Sequence, residues 1–263
     1  MTQTNSIIAG QEATTCPSCG IENRTDFCPA CGEYQHPERF SFGKVIADVP
    51  NAVVNFERGL PYSIRSLAVH PGATVKEYLG GARSRHYRPL NFVFLVGGLY
   101  TLLFSLADIQ GVMAPINEQT ASKWEVFIQE QSLQYQAFLI LFQLPFFSLV
   151  SWLLFRKRGF FYGEHLIGNA YMVGEISIFQ LVMFPFYAWM NNSVGVDILN
   201  FVYLLFMMSY AFFMYYDWFY NRKGFNEAWL CVLAVVLNII VVMVSVEPLM
   251  IVIYKIKTFL FGE

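Results

Sequence analysis

Residues 90–107 form an 18-residue run without a charged side chain, entered through a basic collar of Arg83, Arg85, His86 and Arg88. As a helix the run covers roughly 27 Å, close to the ~30 Å hydrocarbon core of a bilayer. Four further apolar stretches follow at 137–155, 166–190, 198–216 and 228–246. Composition agrees, with 56% hydrophobic and 14% charged residues and a mean hydropathy of +0.43, whereas soluble domains carry about a quarter charged residues. The sequence therefore predicts an all-α polytopic membrane protein, with about five transmembrane helices in a domain at 89–254 and a tail at 255–263. A net charge of −2 points away from a polyanionic partner for the molecule as a whole.

Short loops set the expected orientation. The loop 108–136 carries Asp108, Glu118, Glu125 and Glu130 against Lys123, and contains a polar stretch read as a short helix near 122–132. The loop 156–158 is Arg-Lys-Arg, 191–197 has no Lys or Arg, and Arg222-Lys223 make the last loop basic again. This alternation places the amino end in the cytoplasm and the carboxyl end outside. Lys255 and Lys257 run against the pattern, so the tail either lies on the outer surface or re-enters. The two basic turns, Phe155 to Phe160 and Tyr220 to Phe225, resemble each other as a weak internal repeat.

Ahead of the membrane domain, 1–15 reads as a disordered leader without a secretory signal. Cys16-Pro-Ser-Cys19-Gly and Cys28-Pro-Ala-Cys31-Gly then give two CPxCG knuckles in a compartment expected to be reducing. Four thiolates at this spacing predict a closed, structural zinc ribbon at 16–33, with a single iron as the alternative metal. Between Cys16 and Glu33 there is one Arg and no Lys, against Glu22, Asp26 and Glu33. The basic footprint of a nucleic-acid binder is missing, and a protein contact is expected instead.

Residues 40–88 read as short amphipathic helices at 42–56, 61–69 and 74–79, divided by Pro50 and by His70-Pro71-Gly72. They are expected to lie along the bilayer surface, with Arg83, Arg85 and Arg88 meeting lipid headgroups. Polar residues within the spans are the functional candidates. Glu175 falls roughly 15 Å into its span, Asn238 at similar depth and Gln143 slightly higher; helix glue or a proton or substrate relay would both use them. At the inner surface, His165 and Asn169 share one helical face and Glu164 aligns with Glu175 along a stripe, a polar track suited to metal or proton chemistry. No hydrolase elbow, zinc-protease motif or phosphate loop is present.

The double CPxCG ribbon, Asn55-Phe56-Glu57-Arg58-Gly59, His70-Pro71-Gly72 with Tyr78-Leu79, the Arg83-x-Arg85-x-Tyr87-x-x-Leu90 collar, and Arg158-Gly159 with Glu164-His165-Leu166 together resemble an uncharacterised family of bacterial membrane proteins. That family is classed as a domain of unknown function with an N-terminal zinc ribbon. The resemblance implies a bacterial inner-membrane protein with a cytoplasmic ribbon and brings no catalytic residues. The expected role is a membrane-embedded interaction or assembly factor whose ribbon or span surfaces meet a protein partner. A small transporter or lipid-handling protein using Glu175 is the alternative, and an interfacial enzyme using Glu164 and His165 the third reading.

Overall fold

A computed structural model describes residues 13–37, 39–43, 59–107, 136–190, 193–219 and 228–261. Its amino-terminal ribbon pairs β1 (Thr14–Thr15) antiparallel with β2 (Glu22–Asn23), Thr14 opposite Asn23, and an isolated bridge joins Phe27 to Tyr34. Two short helices follow, α1 (Leu60–Val69) and α2 (Pro71–Leu79), each with Pro in its first turn, where the missing N–H leaves no helical bond unmade. Five long helices complete the chain: α3 (Pro89–Leu106), α4 (Gln136–Phe155), α5 (Tyr162–Trp189), α6 (Ser193–Phe219) and α7 (Ala228–Phe261). All five contain segments long and apolar enough to cross a membrane. The protein is thus the helical membrane protein that its hydropathy predicts.

Helix α5 is the axis of the bundle. In its most apolar window 78% of residues are buried, against 17% in α6 and 22% in α7, and every side chain from Gly163 to Ser177 is enclosed. Around it pack α3, α4 and α6, while α7 closes against α4 and α6. Such all-round burial explains why α5 lacks an amphipathic stripe. Apolar side chains exposed on α6 and α7, among them Phe201, Val202, Leu205, Val236 and Ile240, suit a lipid-facing surface.

Helix boundaries differ from the sequence reading where polar residues continue a helix beyond the apolar run. Helix α5 begins four residues earlier than expected, because Glu164 accepts a hydrogen bond from the Phe161 amide at 2.8 Å and so satisfies an orphan donor at the helix start. Helix α6 extends to Phe219, and α7 continues through Pro248 and Lys255 to Phe261. The last span is therefore longer than 228–246, and no separate tail begins at 255.

Helices α1 and α2 are part of the folded bundle. Ser63, Leu67, Thr74, Val75 and Tyr78 are buried, and the pair packs against α5 and α6 as a collar on the bundle. Each helix alone is too short to hold its fold, so tertiary burial supplies what propensity cannot. Most of the expected amphipathic helix at 42–56, the helix near 122–132 and the second of the repeated turns lie outside the described residues.

Candidate functional site

The cysteines form two nearly identical knuckles. In each, the glycine after the second cysteine donates its amide to the first cysteine's carbonyl: Gly20 to Cys16 at 2.9 Å and Gly32 to Cys28 at 2.8 Å. Those glycines have φ of 76° and 75°, a conformation that costs a side-chain-bearing residue about 1 kcal/mol or more. The knuckles face each other, with Cys16 Sγ 3.5 Å from Cys31 Sγ and Cys19 Sγ 3.4 Å from Cys28 Sγ. All four sulfurs lie within 4.8 Å of one another. A tetrahedral ion with bonds of about 2.3 Å to sulfur needs edges of about 3.8 Å, so the four thiols could hold a metal ion. Burial opposes ionisation of Cys16, yet the Cys19 amide, the Gln35 side chain and the Ser18 amide outweigh it and bring that thiol to about 6. Burial, reinforced by the neighbouring thiols, pushes Cys31 up to about 12. Sulfurs this close share their protons unevenly, and a bound dication would displace them.

Two carboxylates fasten the ribbon to the rest of the chain. Glu33, buried, accepts the Ser18 hydroxyl and the Ser84 amide, each at 2.6 Å, and so ties the second knuckle to the segment before α3. Arg39 forms a two-pronged pair with Glu164, Nε to Oε1 at 2.8 Å and an η-nitrogen to Oε2 at 2.6 Å. The same guanidinium donates to the Gly159 carbonyl at 2.8 Å and lies 3.8 Å from the Phe161 ring centroid. Both Glu164 oxygens are occupied by Arg39, and Oε2 also receives the Phe161 amide. Glu164 is a clasp and a helix cap, with three of the roughly four acceptor sites of a carboxylate taken up within the chain.

A second clasp holds the collar. Asp217 near the end of α6 accepts the Gly72 and Ala73 amides, while Lys76 donates to the Asp217 carbonyl at 2.8 Å. A carboxylate at a helix start satisfies orphan amides and complements the helix dipole. Gly72 lies directly against the backbone of Asp217 and Trp218, where a Cβ would collide. His70-Pro71-Gly72 is thus a docking element. The basic collar is also partly committed: Arg83 lies over the Phe40 ring at 4.1 Å and Arg85 over the Tyr62 ring at 4.8 Å. Arg85 and Arg88 keep exposed side chains.

Within the bundle a chain of buried polar side chains crosses four helices. His165 Nδ1 is 3.0 Å from the Ser151 hydroxyl, which accepts Asn169 Nδ2 at 2.9 Å. Tyr215 donates to Asn169 Oδ1 at 2.6 Å, and Asn238 Nδ2 donates to Tyr215 Oη at 2.8 Å. His165 Nε2 and Asn238 Oδ1, at the two ends, have no hydrogen-bond partner among the described residues. Beyond Asn238 a cavity of about 660 Å³ opens between α4, α5, α6 and α7. Its walls are mainly Leu, Ile, Val, Met and Phe, with Gln143, Ser177, Gln180, Asn200, Tyr203 and Asn238 as polar points, and among the described residues no Asp, Glu, Lys, Arg or His lines it.

The sequence candidates therefore separate. His165, Asn169 and Asn238 join one network, and Gln143 lines the cavity with its amide donated to Ser245 at 3.0 Å. Glu175 belongs to neither. Gly174 packs on Phe92, only three residues into α3, so Glu175 sits near the ribbon-side end of α3 rather than midway across it. Sequence reasoning missed Glu33, Arg39, Ser151 and Tyr215. Their partners lie 14 to 125 positions away, and no periodicity marks them.

These features define a class: a five-span helical membrane protein with a four-cysteine head clasped to its own bundle. A family model described as a protein of unknown function (DUF3667) matches residues 57–101. The match spans α1, α2, the basic collar and most of α3, which makes the collar and first span the part similar to that family. No curated protein and no solved structure matches the chain.

Proposed function

We propose that this protein binds a lipid-like molecule inside the membrane, in the cavity between α4 and α7, and that the cysteine head is a zinc-bound structural anchor for that bundle. The cavity carries the reading. Its volume of about 660 Å³ falls inside the roughly 300–1,000 Å³ of small-molecule sites, and it has their combination of apolar walls and few polar points. This is the lipid-handling role with a different centre, since Glu175 does not line the cavity. Zinc suits four thiolates in a closed tetrahedron, and a closed shell leaves no open position for chemistry. The alternating loop charges support a cytoplasmic ribbon, and a bacterial inner-membrane setting is what the resemblance of its motifs implies.

Mass spectrometry of lipids retained after purification in a mild detergent tests the reading. One chain-bearing lipid per protein is expected, and Val242→Trp, which fills the cavity, should release it. Stoichiometric lipid retained by a folded Val242→Trp variant would refute the site.

A protein partner on the ribbon is the second reading. Phe27 and Tyr34 pair with ring centroids 5.1 Å apart and are 60% and 42% exposed, an open aromatic patch on the ribbon. Crosslinking from position 27 should capture one stoichiometric protein in native membranes; capture of lipid alone would dismiss it.

A further inference from the structure

The polar points of the cavity differ in what they leave free. Asn238 Oδ1 is fully enclosed, so the buried network ends inside the protein and offers no atom to a ligand. Gln180 is different. It is 98% buried and continues the stripe Met172, Ile176, Gln180, at four-residue steps, with which α5 lines the cavity. Among the described residues its carboxamide has no hydrogen-bond partner, yet neither amide atom is enclosed as Asn238 Oδ1 is. The little surface that Gln180 keeps therefore includes its polar end, on the face of α5 turned to the cavity. Gln143 leaves a second atom free. Ser245 gives its hydroxyl proton to the Val242 carbonyl at 3.3 Å, so it accepts from Gln143 Nε2 at 3.0 Å, and the Gln143 oxygen is left as an open acceptor on the α4 wall.

We infer that Gln180 is the headgroup-recognition residue of the cavity, pairing edge to edge with a single-chain lipid whose neutral head is a primary carboxamide or a protonated carboxyl. This rests on the lipid-binding reading above. Charge narrows the head: among the described residues no Asp, Glu, Lys, Arg or His lines the cavity, and an ionised head without a countercharge in such surroundings is strongly disfavoured. Hydrogen bonding narrows it further. A glutamine amide sets one acceptor and two donor hydrogens on a single plane, and a carboxamide or carboxyl presents donor and acceptor in the reverse order, so two bonds form at once. The Gln143 oxygen leaves an acceptor available to the second N–H of a primary amide. The apolar walls, including Met207, Met208, Ile239 and Val242, take the chain.

Native mass spectrometry of the delipidated full-length protein with two pairs of probes tests this. Hexadecanamide and N,N-dimethylhexadecanamide share a chain and a carbonyl and differ in the donor; hexadecanoic acid at pH 5 and its methyl ester do the same for the carboxyl. Wild-type protein should prefer the donor-bearing member of at least one pair by roughly fivefold to tenfold, the worth of one hydrogen bond, and the pair with the larger preference names the head. Gln180→Leu should bind both members equally, at the level of the donor-free probe on wild type. Without lipid, that variant should melt no lower than wild type, because it removes a polar group that has no partner in the chain. Equal binding within both pairs on wild type, a comparison that requires no variant, overturns the inference and leaves the cavity reading intact. A preference that survives in folded Gln180→Leu, or a marked loss of stability in that variant, overturns the assignment to this residue. Binding of no probe refutes the cavity reading itself.

Discussion

Asp217 caps helix α2 from 145 positions away in sequence, its carboxylate 2.8 Å from the Gly72 amide and 3.1 Å from that of Ala73. The contact decides that the collar is part of the bundle. Gly72→Ala should disturb it by forcing α2 off the α6 backbone, at a cost of about 1–3 kcal/mol. Asp217→Asn keeps an acceptor and loses the charge, a milder loss of about 1 kcal/mol. Thermal aggregation in detergent should therefore rank Gly72→Ala below Asp217→Asn below wild type. Equal stability of all three would show that the collar docks by apolar contact alone.

Arg39→Ala should free the ribbon. Glu164 is 95% buried at its side chain and Arg39 is about half exposed, so solvent screening limits the loss to about 1 kcal/mol, roughly a fivefold shift toward the undocked ribbon. Faster amide exchange in 13–37 with unchanged exchange in α6 is the expected signature.

Metal removal is expected to act through the same clasps. Chelation, or Cys16→Ser, takes away the ion that pins the two knuckles, and Glu33 and Arg39 lose the scaffold that aims them. Metal analysis should give about one zinc per chain, and the metal-free protein should be cut by protease within the ribbon while the bundle persists. A ribbon that resists protease without metal would show the hydrogen-bonded knuckles to be self-sufficient.

Acid should weaken the collar through His86. Burial lowers its protonation below the ordinary value of about 6.5, with Glu77 at 3.3 Å drawing it partly back up and Arg85 adding to the fall; Tyr62 and Tyr78 enclose the ring. A group whose folded value is depressed takes its proton more readily when unfolded. The stability it contributes is full above pH about 6.5 and falls progressively as pH drops below that. His86→Phe should flatten this part of the stability profile. An unchanged acid slope in that variant would assign the effect elsewhere.

Much of the architecture was legible because membranes leave little choice. Uninterrupted apolar runs such as 90–107 have to be helices, since every backbone amide there needs a partner within its own segment. CPxCG spacing likewise dictates the paired knuckles, because Pro and Gly set the turn locally. The interior site was only half legible. His165, Asn169 and Asn238 are conspicuous as polar residues in apolar helices, but Ser151 and Tyr215, which connect them, look like ordinary helix residues.

The sequence by itself determined the number of spans, the four-cysteine head and the polar candidates, all of which depend on local chemistry and on the thickness of a bilayer. Only the tertiary structure decided that Glu164 is a clasp, that His70-Pro71-Gly72 docks on α6, that Glu175 stands apart and that Asn238 meets a cavity. Each of these depends on how far one helix slides along another. Side chains distant in sequence set that offset through close packing, and no periodicity within a single helix records it.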